Sequence, residues 1–312
     1  AAPGTGSGKT GSPTAQTAGT PFNVTVNAVD VNWNVIAGVT DVVGITSSDV
    51  NAALPANAAL VNGMKTFSVT LKTAGSATLT ATDITDSAKT LNTSPSATVN
   101  AGAFTKLQLL VPGEAAAPGS AAGKTGSPSA TTEGVAFNVT VNAVDANWNP
   151  VTSTDVVGIT SSDGTATLPG NAALVGGTQT FSVTLNTAGT QTVTATDITD
   201  GGKSPNTSPS ITVNAAGTIQ STTTGGLWNA TGTWVGGVVP SATSNVVIAT
   251  TGGNAVTINT NVTVRTLNIN SGAVLQGNGS ASTFTVGKNN TLSLTNNGTF
   301  NANATTIIVA TA

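Results

Sequence analysis

The sequence predicts an all-β protein in which one module occurs twice and a different segment follows. Residues 22–30 read FNVTVNAVD, and residues 137–145 repeat these nine letters without a change. The flanking blocks recur in the same order, so a unit of roughly 110 residues has been duplicated in tandem. Charged residues make up only 7% of the 312-residue chain, and Thr, Ser, Asn and Gly take their place. Because β-branched Thr suits a pleated, half-buried surface, this composition indicates strands throughout.

Each copy is predicted to consist of short strands separated by turns. The first 20 residues are rich in Gly, Pro, Ser and Thr, which indicates a loop. In residues 22–28 an apolar side chain occupies every second position, the pattern of a strand with one buried face. Further strands are predicted at residues 42–45, 66–71 and 94–101, with a turn at residues 73–75.

The second copy contains one strand that the first copy lacks. Residues 105–113 read TKLQLLVPG, with Leu107, Leu109 and Val111 on one face. With that strand the second copy has about seven strands at regular spacing, the pattern of an immunoglobulin-like sandwich. We therefore predict a sandwich without its first strand at residues 1–101 and a complete one at residues 102–215.

The turn that follows the repeated strand carries a family resemblance. Residues 137–151, FNVTVNAVDANWNPV, resemble the opening of bacterial immunoglobulin-like (Big-type) repeats, where a strand leads into a D-x-x-G-N-P-V turn. Trp148 stands where that family has Gly, and Val35 of the first copy stands where it has Pro. The resemblance covers residues 1–215 and implies a spacer or adhesive unit on a cell surface, with no chemistry of its own.

Residues 216–312 have a different pattern, in which strands of three to six residues alternate with Asn- and Gly-rich turns. They resemble the start of bacterial parallel β-helix surface proteins, where a tryptophan-bearing cap precedes a P-x-A-x-x-N-V-V-I run and coils of about 20 residues. The matching residues are Trp228, Trp234, Pro240, Ala242, Asn245 and Ile248. This resemblance predicts a short β-helix or β-solenoid of about three coils after Asn245. The apolar strand at residues 305–312 is expected to end it as a free strand.

Composition argues against several classes of function. A net charge of −3 gives no basic stripe, so we expect no nucleic-acid partner. No stretch nears the roughly 18 apolar residues of a membrane span, so we expect no membrane insertion. The chain has neither Cys nor His, and residues 216–312 have no Asp or Glu, although a glycosidase needs two carboxylates across one cleft. We predict a protein that is not an enzyme and uses no cofactor.

Two turns have the oxygen-ligand spacing of a calcium loop. The candidate ligands are Asp30, Asn32, Asn34, Asp145, Asn147 and Asn149. Both turns lack the Gly at the sixth position and the distal bidentate Glu of such a loop, and an Asx-stabilised turn needs the same residue types. About ten N-x-S/T sequons could carry surface glycans if the host glycosylates its surface proteins.

The strand that the first copy lacks suggests how the chain assembles. A sandwich without an edge strand exposes an apolar groove and unpaired backbone groups, here beside Phe22 and Val24. We hypothesise that the C-terminal strand with Ile307, Ile308 and Val309 fills this groove in the next subunit. Such a contact is heterologous, so we expect self-association, head to tail, into an extracellular filament or surface layer.

Two alternatives remain for the function. The chain could be a spacer or stalk fragment of a large cell-surface adhesin, in which case the absent strand lies upstream in the same polypeptide. A carbohydrate-binding or enzymatic module is the third possibility, and it has the least support because the residues for catalysis are absent.

Overall fold

The computed structural model describes residues 2–287 and 294–309, and these residues fold almost wholly into strands. The one helical turn within these ranges is a 3-10 turn at Thr231–Thr233. Two immunoglobulin-like sandwiches are followed by a parallel β-solenoid, which confirms the predicted fold class. No helix in the described ranges is long and apolar enough to cross a bilayer.

The first module contains nine short strands. In chain order these are β1 (Gln16–Thr17), β2 (Phe22–Asn27), β3 (Val42–Ser47), β4 (Ala58–Ala59), β5 (Met64–Val69), β6 (Gly75–Ala77), β7 (Leu79–Asp83), β8 (Asn92–Thr93) and β9 (Ala97–Asn100). The sheets have the orders β2-β5, β4-β3-β7-β8 and β1-β9-β6. Phe67, Val69 and Leu71 are buried between the sheets, as the alternation predicts.

The second module repeats this arrangement with additional strands at its start. Its strands are β10 (Lys106–Leu110), β11 (Glu114–Ala116), β12 (Lys124–Gly126), β13 (Thr131–Thr132), β14 (Ala136–Val144), β15 (Val156–Ser161), β16 (Ala172–Ala173), β17 (Thr178–Thr184), β18 (Gly189–Gln191), β19 (Val193–Asp197), β20 (Asn206–Thr207) and β21 (Ile211–Asn214). The sheets have the orders β10-β14-β17, β16-β15-β19-β20 and β13-β21-β18, and β11 forms a hairpin with β12. Leu107 and Leu109 of β10 are fully buried in the core.

The third domain is a solenoid with three parallel sheets. Its strands are β22 (Thr218–Gln220), β23 (Gly226–Leu227), β24 (Asn245–Ile248), β25 (Ala255–Ile258), β26 (Val262–Val264), β27 (Thr266–Ile269), β28 (Val274–Gly277), β29 (Ser282–Val286), β30 (Leu294–Asn296), β31 (Thr299–Asn301) and β32 (Thr305–Val309). The sheets stack as β22-β24-β27-β30, β23-β25-β28-β31 and β26-β29-β32. Three coils follow Asn245, as predicted, and β22 and β23 add a partial coil before them.

Two tryptophans close the start of the solenoid core. Trp228 and Trp234 are almost fully buried, with ring centroids 4.8 Å apart in an edge-to-face arrangement. The Trp234 Nε1–H donates a hydrogen bond to the Trp228 carbonyl oxygen at 2.8 Å. Trp228 also meets the ring of Phe284, with centroids 5.3 Å apart. The predicted tryptophan cap is therefore part of the core.

The last strand differs from the sequence expectation of a free strand. β32 pairs in parallel with β29, from Ser282↔Thr305 to Val286↔Val309. Its other edge has no neighbour among the described residues, and Ile307, Ile308 and Val309 remain 37–46% exposed. Alternation in so short a strand does not show whether it stacks on a preceding coil, which explains the error. Residues 310–312 of the predicted strand lie outside the described residues.

Candidate assembly interfaces

The two copies of the repeated strand have different neighbours. β14 pairs with β17 on one side and with β10 on the other, from Lys106↔Val144 to Leu110↔Thr140. The equivalent strand β2 pairs with β5, and within the described residues nothing pairs with its outer edge. Val139 and Val141 are completely buried, whereas their equivalents Val24 and Val26 are only half-buried. The first module thus has an open apolar edge where the second has a strand.

The asparagine near the end of the repeated strand also differs between the two modules. Asn27 Oδ1 in β2 is buried and has no hydrogen-bond partner among the described residues. The equivalent Asn142 is satisfied, because its Nδ2 donates to Gln108 Oε1 at 3.0 Å and its Oδ1 accepts from Thr178 Oγ1 at 2.8 Å. Gln108 belongs to β10, the strand that the first module lacks. Asn27 Oδ1 is therefore unpaired because Met64 stands at the position of Thr178, and the missing strand removes only the partner of the amide nitrogen that Gln108 provides in the second module.

The predicted assembly residues lie in different domains of one chain. Phe22 and Val24 are half-buried at the open edge of β2, opposite Val69 and Phe67 of β5. Ile307, Ile308 and Val309 lie on the exposed last strand of the solenoid. A contact between the two sets would therefore join two copies of the chain.

The junction between the sandwiches is built on a turn of the second module. Gly102 N–H donates to Asp145 Oδ2 at 2.8 Å, and Ala74 N–H donates to Asn149 Oδ1 at 2.8 Å. Asn149 Nδ2 returns a hydrogen bond to the Lys72 carbonyl oxygen at 2.9 Å. Asp145 and Asn149 are almost completely buried. Gly19 has φ 81°, a left-handed conformation that favours glycine, and it lies against the Asn147 side chain of the second module.

The junction between the second sandwich and the solenoid contains a buried ion pair. The Arg265 guanidinium contacts the Glu133 carboxylate, and both side chains are less than one-tenth exposed. Glu133 Oε1 also accepts a hydrogen bond from Ala216 N–H at 2.8 Å. Arg265 Nη2 donates to the Asn186 carbonyl oxygen at 2.8 Å. This pair connects the second module, the linker and the solenoid.

The two junctions satisfy the same backbone groups with different side chains. We call residues 18–19, 72–74 and 102 the base of the first module, and residues 133–134, 186–188 and 216 the base of the second. At both bases a linker N–H donates to a carboxylate and a turn carbonyl accepts from a side-chain N–H. The carboxylate comes from the following module (Asp145) at the first base and from the base itself (Glu133) at the second. Glu133 occupies the position that Ala18 has in the first module.

Burial alone would raise the pKa of Glu133, but hydrogen bonds from Arg265 and Ala216 and the charge of Arg265 outweigh it and lower the pKa. A lowered folded-state pKa means that the carboxylate stabilises the junction fully above its unfolded pKa of about 4.3. That stabilisation is lost as the pH falls through the lower folded-state value.

We therefore expect acid to open the junction between the second sandwich and the solenoid. The protection of the Ala216 N–H against hydrogen exchange, relative to an unstructured amide at the same pH, should fall below about pH 4. Glu133→Gln should reduce the free energy that holds the junction closed at neutral pH by about 3 kcal/mol, because it leaves Arg265 buried without its counter-charge. The variant should also lose most of this pH dependence, although Asp163 still titrates at the same base. If the exchange of the Ala216 N–H depends on pH in Glu133→Gln as it does in the unmodified chain, Glu133 is not the group that makes the junction sensitive to acid.

The calcium candidates form Asx-stabilised turns. Asp30 Oδ1 accepts hydrogen bonds from the N–H groups of Asn32 and Asn34, and its Oδ2 accepts from Asn34 Nδ2. Hydrogen bonds from the Asn34 side chain and backbone lower the pKa of Asp30. Asp145 makes the same set of bonds with Asn147 and Asn149. Since N–H donors of the turn itself bind both carboxylates, each Asp orders its own loop.

Each of these turns holds a tryptophan in the left-handed region. Trp33 and Trp148 both have φ 66°, at the position where the bacterial immunoglobulin-like repeats have Gly. Each ring packs against a glycine, Gly8 in the first module and Gly123 in the second. In the second module Lys106 Nζ also lies 3.5 Å from the Trp148 ring centroid, a cation–π contact. The first module lacks this contact because it lacks the equivalent of β10.

No group of three or more acidic, Cys or His side chains capable of holding a metal ion occurs in residues 2–287 and 294–309. Two cavities lie among those residues. One of about 70 Å³ lies in the second sandwich beside Phe137 and Ile211. The other, of about 310 Å³, is an open groove beside Trp228 and Pro240 at the solenoid cap.

Comparisons with known proteins give only weak matches. No family model and no curated protein matches the chain. Among solved structures, the D00-D0 domain of intimin is 13% identical over 64% of this chain and 96% of its own, with a TM-score of 0.32. Domains 5-6 of the S-layer protein SbsC are 24% identical over 66% and 95%, with a TM-score of 0.23. Invasin is 20% identical over 66% and 38%, with a TM-score of 0.26. At these scores the fold assignment rests on the strand pairing described above.

Proposed function

We propose that the chain is a structural subunit of an extracellular filament or surface layer, joined to its neighbour head to tail at the open edge of β2. The observation that carries this proposal is the difference between two copies of one strand. β14 is covered by β10, whereas β2 has a bare outer edge within the described residues. A bare apolar edge is a template for strand addition, in which main-chain hydrogen bonds supply affinity and alternate side chains supply register.

The donor that this chain itself offers is β32. Ile307 and Val309 alternate in the same way as Leu107 and Leu109 of β10, and both are more than one-third exposed. To reach β2 of a neighbour, β32 must leave β29. The exchange would replace the five parallel residue pairs of β29–β32 with an antiparallel ladder like the five pairs of β10–β14, and it would leave the edge of β29 unpaired. Burial of the exposed apolar side chains then favours the exchange.

Substitutions on the two faces of β32 test this proposal. Ile307→Asp with Val309→Asp places charges on the face that would enter the groove, so we expect soluble monomers in electron micrographs and in sedimentation. Thr306→Asp alone is the control, because residue 306 would take the half-buried position of Lys106 and assembly should persist, whereas Ile308 would take the position of the buried Gln108 and is left unchanged. Filaments or sheets formed by the Ile307→Asp/Val309→Asp variant would overturn the role of β32.

The second candidate is a stalk or spacer of a larger cell-surface protein, and one observation favours it. In the second module the completing strand β10 follows the linker from the preceding module, so it arrives within the same polypeptide. Under this arrangement both β32 variants would behave like the unmodified chain, and the native protein would have a mass well above that of 312 residues.

A further inference from the structure

The turn at residues 30–34 is a second copy of a turn whose partner is visible. It reads DVNWN, and the turn that joins the second module to the first reads DANWN, at residues 145–149. The internal hydrogen bonds are the same in both turns. A loop with Pro3 and Gly4 packs beside the first turn, as its equivalent with Pro118 and Gly119 packs beside the second. We call residues 3–4 and 30–34 the N-terminal pole.

The two turns differ in what covers them. Asn149 is completely buried because both its side-chain atoms bond to the base of the first module. Its equivalent Asn34 is exposed. Asp145 Oδ2 accepts the linker N–H of Gly102, whereas the hydrogen bonds of Asp30 within the described residues all lie inside its own turn. Pro118 accepts a hydrogen bond from Asn51 of the first module at 3.3 Å, and Pro3 is its counterpart at the pole.

We infer that the N-terminal pole is a docking surface for the base of another immunoglobulin-like module of the first-module type. Such a base presents two N–H donors and one carbonyl acceptor at the positions of Gly102, Ala74 and Lys72. The pole offers the complementary atoms in Asp30 and Asn34. This inference goes beyond the proposed function because it concerns the pole. The first-module base of this chain is already covered by Asp145 and Asn149, so the docking module is not the first module of an identical chain, and the inference belongs with the stalk arrangement and not with filling of β2 by β32.

The residue at the position of Ala18 selects the partner. A base of the second-module type carries Glu133 there, and its carboxylate already accepts the linker N–H. A carboxylate from the pole would then meet a carboxylate of the same charge, with no equivalent of Arg265 to offset it. The pole therefore accepts a base with a small residue at this position and rejects a base with Glu.

Ala146→Val tests the inference in the chain as it exists. The two turns differ only at residue 146 and its equivalent, Val31. The substitution therefore gives the turn at the existing junction the DVNWN sequence of the pole. Because Ala146 and Val31 are both exposed, the Ala74 and Gly102 N–H groups should keep their slow hydrogen exchange. Asn149→Ala is the positive control, which should accelerate exchange at Ala74 about tenfold. Equal acceleration in Ala146→Val would overturn the inference.

A longer chain tests the pole itself. A second copy of residues 1–115, fused to the N-terminus of the chain, supplies a first-type base, its linker and a completing strand. We expect the Ala74 and Gly102 N–H groups of the added copy to exchange slowly, and about tenfold faster when Asn34→Ala is made in the next module. Ala18→Glu in the added copy should have the same effect, whereas Ala18→Ser should not. Protection of Met64–Val69 shows that the added copy is folded. If its Ala74 and Gly102 N–H groups then exchange as fast as those of an exposed loop, the inference is wrong.

If the added copy does not fold, Met64–Val69 of that copy exchanges freely and the Ala146→Val result decides. A negative outcome in either experiment leaves the strand-addition proposal intact, because that proposal is measured at Phe22–Asn27.

Discussion

A peptide with the sequence of residues 105–113, TKLQLLVPG, is expected to bind the first module of the intact chain and to stabilise it. The peptide carries the apolar face and the amide side chain that complete the second module, and in the first module the outer edge of β2 has no partner within the described residues. At a concentration 100-fold above its Kd, a ligand that binds only the folded state stabilises it by about 2.7 kcal/mol. We expect slower hydrogen exchange at Phe22–Asn27 and Met64–Val69, and a higher unfolding midpoint for this module.

The control for this experiment is the same peptide with Leu107→Asp and Leu109→Asp. It keeps the backbone hydrogen-bonding groups but cannot enter the apolar groove without burying charge. The second module should not respond to either peptide, because β10 already occupies its edge. Equal protection by both peptides would show that the apolar face plays no part, and no protection by either would show that the edge does not accept a strand.

Removal of the apolar side chains of β10 should bring the second module close to unfolding. Leu107 and Leu109 are fully buried, and each Leu→Ala change in a core typically costs about 2–5 kcal/mol. The double variant should therefore lose about 4–10 kcal/mol, which is comparable to the entire stability of a module of this size. Denaturant unfolding monitored by hydrogen exchange at β14 measures this loss.

Val175→Ala is the control for that loss, because Val175 is 73% exposed and its truncation should change the stability by less than about 0.5 kcal/mol. A loss below about 1 kcal/mol in the Leu107→Ala/Leu109→Ala variant would mean that the strand contributes little. The open edge of the first module would then be no reason for assembly.

The sequence predicted the fold because its signals are local and repeated. Alternation in residues 22–28 and 105–113 places Val24 and Leu107 on buried faces, and the duplication reveals which strand the first copy lacks. Asx chemistry at Asp30 and Asp145 is also local, since each carboxylate binds residues two and four positions ahead.

The junctions could not be predicted in the same way. Glu133 and Arg265 are far apart in sequence, and only the packing of the solenoid on the second sandwich brings them together. Two signals were nevertheless present in the sequence. Arg265 is the only arginine of the chain, and Glu133 replaces Ala18 in an otherwise well-matched repeat. The pairing of β32 with β29 was missed because a five-residue apolar strand has the same alternation whether it is paired or free.

Hydrogen exchange at β2 in the assembled material is the most direct test of strand addition at this edge. In monomers, the N–H groups of Phe22–Asn27 that face away from Met64–Val69 have no strand partner within the described residues, so they should exchange quickly. In filaments or surface layers we expect these same groups to be protected as strongly as their equivalents in Ala136–Val144. If they exchange as fast in the assembly as in the monomer, the chain does not assemble by strand addition at this edge.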